Sequence, residues 1–554
     1  MKSLLKVFIL LISIFFSIFL ILQNFTVFDM HAHLFFSKHY KENWFYLKDQ
    51  KLSAGLDLST YPPLVHQIIA LLSFNFPLEV SYYIILIIFW VLLSYSSTKF
   101  FLSYLKVKDE KFWLTYLFIF FSSGILVTAF VFGQLTTIVG LAFGFTSLYY
   151  FSEFLKNGSL KSSLKNIVLS LLSLSLVAFS HNLSFLLIGL FYFFIVIFEW
   201  KTLSKRSKQL ILPLACTILL ILAIYYPSLT RGFAGSLVPL KEVSHWSRYP
   251  FISSINFERW LSIYGISISM LTLPLFLILS KTKRWKRFLK LYLIAIVFFL
   301  LGLGRVTPLT KIFLGLEYWL TYERFSLVSS IILTSFFALF IPTEVSFKKR
   351  KLNFLPIIFL ILFVGINLEW LYHSHTLFFG SPVKTQNNKR QEITSYVLSF
   401  LNNVSSNYRY QTFGYGRPIG EIYLYSKLPT LDTDYFTGRT IDWIKDSGID
   451  EIDQTKDKNF LDTFMNHTNE YAIKYILTFN DFYHQYMKLY SWKLLESKKF
   501  DGKSVMIWEN PNKIEEISWR EEEVRIFNYV WGLLPLTTLF IFLVLWKCRT
   551  RVLK

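Results

Sequence analysis

A chain of 554 residues that is 53% hydrophobic and 19% aromatic, with a mean hydropathy of +0.44, is too apolar for an ordinary soluble enzyme and reads as an integral membrane protein. Its net charge of +21 does not point to nucleic acid, because Lys and Arg fall in short blocks between apolar runs and not along one amphipathic face. The two cysteines, Cys216 in an apolar run and Cys548 in the basic tail, exclude a disulfide framework.

Leu4 to Leu22 is long enough to cross a hydrocarbon core of about 30 Å at 1.5 Å per residue. It lacks a small-residue cleavage site and many apolar runs follow, so it reads as a first transmembrane helix and not as a signal peptide. Residues 23–80 then form a long external loop. Within it, Tyr61-Pro62-Pro63 breaks the chain before Leu64 to Phe74, a helix too short to span and expected to lie at the interface or re-enter. Further spans are expected near 81–104, 112–132, 135–152, 164–180, 183–199, 209–226, 260–280, 288–303, 325–342, 353–371 and 526–546. With the first, that makes about twelve transmembrane helices. Gly140-xxx-Gly144 in the fourth suits close helix packing.

Charge sets the orientation. Lys106/Lys108/Lys111, Lys156/Lys161/Lys165, Lys201/Lys205/Arg206/Lys208, Lys281/Lys283/Arg284/Lys286/Arg287, Lys348/Lys349/Arg350/Lys351 and Lys547/Arg549/Arg551/Lys554 all fall on one side. The opposite turns at Gly133-Gln134 and His181-Asn182 carry no Lys or Arg, so the positive-inside rule puts both termini in the cytoplasm. Segments 23–80, 227–258, 304–324 and 372–525 are then external. The multispanning part covers 1–371, and 526–554 supplies a final helix and a basic cytoplasmic tail.

Segment 372–525 has the composition of a small α/β domain. Strand-like runs at Tyr408 to Phe413, Ala472 to Phe479 and Ser504 to Trp508 alternate with helical stretches such as Gln391 to Asn402, and Asp501-Gly502 is a turn signal.

Three constellations carry chemistry. Phe28-Asp29-Met30-His31-Ala32-His33 puts a carboxylate and two imidazoles where the chain first leaves the membrane. Asp29 suits deprotonating an acceptor hydroxyl or helping to hold a divalent cation, Mg or Mn, with His31 and His33 as further catalytic groups or metal ligands. The bland reading is a polar loop that contains histidines. Next, Arg324 opens a late span beside Glu323 on the external side, where the positive-inside rule disfavours a cation; an anionic partner such as a lipid phosphate accounts for it, as does a local salt bridge. Arg305, after Gly304, is a weaker companion. Finally, Arg231, Lys241 and His245-Trp246-Ser247-Arg248-Tyr249 mix cations and aromatics in a way that suits a phosphate and a sugar face, and equally a membrane interface. His181-Asn182 reads as a structural turn.

Asp29-x-His31, the long loop closing in Tyr61-Pro62-Pro63-Leu64, the Phe132-Gly133-Gln134 turn and Glu323-Arg324-Phe325 together resemble the GT-C superfamily of polytopic membrane glycosyltransferases. More narrowly, the chain resembles archaeal membrane proteins of this type that carry the label 6-pyruvoyl-tetrahydropterin synthase-related. The resemblance implies transfer of a sugar from a polyprenyl-phosphate-linked donor to a glycan, lipid or protein acceptor at the external face of an archaeal or bacterial plasma membrane. It implies Asp29 as the catalytic or metal-assisting acid, and Arg324 with Arg305 as holders of the lipid phosphate. Two other classes fit the composition: a lipid or solute transporter, and a non-catalytic assembly or export factor for surface polysaccharide. The collection of polar residues at one face favours interfacial catalysis over passage.

Overall fold

Helical turns occur at all twelve expected positions in the computed structural model, which describes residues 2–552 except 26, 157–159, 229–247, 250–256, 276–284, 314–316, 318–319, 342–344, 348–349, 353–354, 380–382, 417–418, 433–437, 450, 501–502 and 519–522. Among the described residues, seven helices are long and apolar enough to cross a membrane, or eight when one bent pair counts as a single span. The other positions fall short for visible reasons. Val7–Leu22 and Asn182–Phe198 are shorter apolar helices, Phe257–Tyr264 runs into the 3-10 turn Gly265–Thr272, and Trp285–Gly302 opens on Trp-Lys-Arg-Phe-Leu-Lys.

The first half contains α1 (Lys2–Leu22), α2 (Met30–Glu42), α3 (Leu64–Leu72), α4 (Leu78–Leu105), α5 (Phe112–Phe120), α6 (Ser123–Val127), α7 (Leu135–Leu155), α8 (Leu160–Ser180) and α9 (Asn182–Phe198). The single span expected over 112–132 is bent by 40° between Phe120 and Ser123. Asn367 meets the freed backbone there, its Oδ1 accepting from the Ser123 N–H at 2.9 Å, which is how a broken helix is tolerated inside a bundle. Gly140 and Gly144 lie against α9; a Cβ on Gly140 would stand 2.6 Å from that of Ser184, and one on Gly144 would strike Ile188. Residues 207–379 add α10 (Ser207–Ser228), α11 (Phe257–Tyr264), α12 (Trp285–Gly302), α13 (Glu323–Phe340) and α14 (Leu355–Phe379).

The α/β unit follows α15 (Val383–Asn403). Its sheet comprises β1 (Arg409–Phe413), β2 (Ile473–Thr478), β3 (Lys493–Phe500) and β4 (Lys503–Glu509) in the order β1-β2-β4-β3, parallel between β1 and β2 and antiparallel elsewhere. Period-two alternation gives it two apolar faces. Phe413, Ile476 and Trp508 join Phe460 and Phe464 of Lys458–His467 on one side; Tyr410, Leu477 and Ile507 meet Val397 and Leu401 of α15 on the other. The strands flanking Asp501-Gly502 pair with each other, and the turn itself lies outside the described residues.

This unit sits on the first loop. Ser53 N–H donates to Thr430 at 2.9 Å, Thr430 N–H returns to Lys51 at 2.7 Å, and Lys38 Nζ donates to the Leu424 carbonyl at 2.8 Å. The closing helix α16 (Ile526–Val552) contains Pro535, whose missing N–H leaves the Trp531 carbonyl without its helical donor. Gln67 Nε2 takes that place, 3.2 Å from the carbonyls of both Trp531 and Gly532. Trp531 Nε1 donates to Tyr40 at 2.8 Å, so the last helix is fastened to α2 and α3.

Candidate functional site

The hub is the turn Phe132-Gly133-Gln134 between the π-helical turn Thr128–Phe132 and α7. Gly133 adopts φ +68°, and a Cβ there would stand 2.8 Å from Val27 and 3.2 Å from the Asp29 nitrogen, so only glycine lets the start of α2 come this close. The Asp29 N–H accordingly donates to the Phe132 carbonyl at 3.0 Å. Asp29, half-buried, is the N-cap residue of α2, and Tyr82 of α4 donates to the Gly133 carbonyl at 3.1 Å.

Gln134 ties this turn to the late arginine. Its Nε2 donates to Glu323 Oε1 at 3.1 Å and its Oε1 accepts from Arg324 Nε at 3.2 Å, so one amide bridges acid and base. Arg324 Nη1 lies 3.0 Å from His181 Nε2. On the other edge of the ring, His181 Nδ1 accepts from the Ser184 N–H at 3.2 Å as the N-cap of α9, with Ser184 Oγ at 2.9 Å. Burial, and then the Arg324 charge, hold His181 well below its ordinary pKa, in keeping with a neutral ring. Two of the five guanidinium N–H groups are engaged in this way, and the guanidinium makes no other hydrogen bond among the described residues. Its side chain is 15% exposed against 2% for Glu323. Arg248 is also buried and acts electrostatically on Glu323.

Facing Arg324 is a pair of histidines. His33 Nδ1 is 3.1 Å from His66 Nε2, and His66 also bonds the Pro62 carbonyl. A carbonyl only accepts, so His66 donates there with Nδ1, its Nε2 accepts from His33 Nδ1–H, and His33 Nε2 is left as a bare acceptor. That atom is buried and has no protein partner among the described residues. Burial, then Arg324, lower the His33 pKa to about 3, so the ring is neutral and weakly basic. Tyr61 stands beside both rings and bonds Thr136 Oγ1 at 2.7 Å. Burial pushes its phenol up to about 12, with Arg324 opposing and Asp29 adding to the shift, so the first-loop acid and the late arginine act on one hydroxyl.

The expected site residues therefore divide. Asp29, His33, Glu323, Arg324 and Arg248 come together at one end of the bundle. Arg305 lies half-buried in the 3-10 turn Gly304–Val306 after α12, whose Gly302 packs on Ser326 in the first turn of α13. Arg231, His245 and Trp246 fall outside the described residues. His31 does not join Asp29 and His33: the segment is helical, and it turns His31 toward the α/β unit, with Nε2 3.5 Å from Glu421 and Cβ against Gly420. Asp29 and His33 thus lie at the site without His31. Among the described residues no three His, Cys, Asp or Glu side chains come together to hold a metal ion. Sequence pattern does not mark His66, Gln134, Tyr61 or His181 as site residues; the signal for Gln134 and His181 is their place in the two turns without cations, opposite the basic blocks.

No family model and no curated protein matches the sequence. Solved structures do match its fold. ArnT from Cupriavidus metallidurans, bound to undecaprenyl phosphate, is 12% identical, with a TM-score of 0.54 over 91% of this chain and 98% of that one. Its apo state gives 0.53 over 92% and 98%, again at 12% identity. The arabinofuranosyltransferase AftD from Mycobacteria gives 0.52 at 12% identity over 90% of this chain but 41% of its own length. The chain therefore has the GT-C-like polytopic fold.

Proposed function

We propose that the protein is a membrane glycosyltransferase that moves a sugar from a polyprenyl-phosphate-linked donor to an acceptor hydroxyl at the extracytoplasmic face. One observation carries the reading: Arg324, fixed by Gln134 and His181, keeps N–H groups for an anion and shares the Tyr61 hydroxyl's surroundings with Asp29, in a chain whose fold neighbour ArnT was solved with undecaprenyl phosphate. Arg324 would receive the lipid phosphate and stabilise the charge it gains as the anomeric C–O bond breaks. Asp29 would take the proton from the attacking hydroxyl. His33, held near pKa 3, is too weak a base for that task, and its bare Nε2 would instead accept a hydrogen bond from a sugar hydroxyl. Among the described residues no three-ligand set comes together, and the roles given to Asp29 and Arg324 are complete without a cation.

The orientation belongs to the same reading. Arg324, Gln134 and His181 stand at the N-terminal ends of their helices, whereas Lys106, Lys156 and Arg287 mark the other end of the bundle, which the positive-inside rule assigns to the cytoplasm. The test is transfer of radiolabelled sugar from polyprenyl-phosphate donors by the purified protein, with and without a chelator. Asp29→Asn should abolish transfer while insertion and melting stay as in the wild type, and the chelator should leave the rate unchanged. Transfer that survives Asp29→Asn removes Asp29 as the base; transfer that fails on chelation with Mg or Mn restoring it brings a divalent cation into the reaction.

A further inference from the structure

At the far end of the bundle, about 30 Å from Arg324 by the 21 residues of α7 at 1.5 Å each, the C-terminal ends of α4, α7 and α9 and the start of α12 border an open-mouthed cavity of about 840 Å³. The sugar-transfer reading makes no use of it. Lys99, Lys106, Lys108, Lys156 and Arg287 line it, with Glu153 and Glu199 as the acids. Both acids are already matched: Lys156 Nζ is 2.5 Å from Glu153, and Lys290 Nζ is 2.7 Å from Glu199, which also accepts from Tyr104 at 3.1 Å. Among the described side chains Lys106, Lys108 and Arg287 form no ion pair, and Lys99 rests over the rings of Tyr95 and Phe112.

Lys106 and Lys108 are exposed at its mouth and Lys99 and Arg287 are half-buried, so the charge balance around this polar-lined hollow is positive by several units. The carbonyl ends of α4 and α7 oppose it with about half a charge each, which is too little to cancel four cations without carboxylate partners. Basic blocks that only orient a membrane helix have no need of a cavity; cations gathered round a hollow of this size lack a counter-charge, and an anion of two or more charges would supply it. We propose that this cavity is a second anion site that binds a phosphate group, borne either by a membrane lipid or by a soluble phosphate.

The test uses the full-length protein in nanodiscs of phosphatidylcholine with or without phosphatidylglycerol, with lipid retention read by native mass spectrometry and unfolding midpoints read with added inorganic phosphate. Preferential retention of phosphatidylglycerol, reduced about tenfold or more in Lys106→Gln/Lys108→Gln/Arg287→Gln, supports the site and identifies a lipid headgroup. A midpoint raised by inorganic phosphate in the wild type and not in the triple variant supports it and identifies a soluble phosphate. The control triple Lys201→Gln/Lys205→Gln/Lys208→Gln removes the same charge from the same basic side outside the cavity and should leave both readouts unchanged; equal loss in the control overturns the proposal in favour of a diffuse surface field. Should the cavity variant fail to fold, wild-type retention at about 0.5 M salt, where an exposed field is screened within a few ångströms, decides: a preference for phosphatidylglycerol that persists there supports the site, and one that is lost overturns it. Retention without preference for phosphatidylglycerol, together with no response to phosphate, also overturns it.

Discussion

Replacing Arg324 with lysine keeps the charge and removes the fork. The guanidinium is held at two points, Nε on Gln134 at 3.2 Å and Nη1 on His181 at 3.0 Å, which aims its remaining N–H groups. One ammonium cannot satisfy both partners and still present paired donors to a phosphate. Loss of one aimed donor at a developing anion costs about 10²–10³ in kcat, or roughly 3–4 kcal/mol. The long-range attraction for the anionic lipid survives, so KM should move by less than about threefold. Arg324→Gln is the poorer probe, because it also takes the nearest cation from Glu323, which is 2% exposed, and breaking a buried pair of this kind costs about 3–5 kcal/mol of stability. Initial rates of sugar transfer in nanodiscs, with kcat and KM separated and melting followed in parallel, give the answer. A lysine variant that folds and keeps kcat within about threefold of wild type refutes the role given to the guanidinium.

Gln134→Leu leaves both Glu323 and Arg324 without their bridge and should lower kcat about tenfold or more with a stability loss of about 1–3 kcal/mol, read by transfer rate and melting; an unchanged kcat contradicts the bridge. Gln67→Leu should cost about 1–3 kcal/mol by orphaning the Trp531 carbonyl, and Pro535→Ala, which restores the helical donor, should remove most of that cost in a double-mutant cycle; equal costs in both backgrounds contradict the compensation. Gly144→Leu should overpack against Ile188 and destabilise by about 1–3 kcal/mol in thermal unfolding. The pH response should differ between the two parts of the molecule. His33, with its folded pKa lowered to about 3, makes the folded state bind fewer protons than the unfolded one, so its contribution is lost as pH falls below about 6.5. Asp432 and Asp453, both raised by burial and each bonded to backbone N–H groups near β1, act with the opposite sign: their contribution is present at low pH and lost as pH climbs above the unfolded carboxylate value. Hydrogen exchange on the full chain should show β1 better protected at pH 5 than at pH 8, with Asp432→Asn flattening the change.

Asp29 and Arg324 were legible because each breaks a rule of its surroundings: a carboxylate beside hydrocarbon, and a cation on the side where cations are scarce. The groups that hold them were not. His66 lies in a helix whose apolar spacing explains itself without function, and Gln134 is a neutral residue whose weight comes from bonds to residues about 190 positions away. His31 shows the limit of spacing: two residues from His33 permits clustering in an extended chain, but the helix sends it to Glu421. The break at Phe121-Ser122 was hidden because the donor substitute, Asn367, comes from a distant span. Strand β3, Lys-Leu-Leu-Glu-Ser-Lys-Lys-Phe, was missed because it is an almost wholly exposed edge, where lysines replace the apolar alternation that marks an inner strand.

The most direct measurement is a high-resolution map of the full-length protein with a polyprenyl phosphate added. The account predicts phosphate density within hydrogen-bond reach of Arg324, beside the His33 and Tyr61 rings and facing Asp29. Phosphate density confined to the lysine-lined cavity at the opposite end, with the Arg324 guanidinium unoccupied, would contradict it.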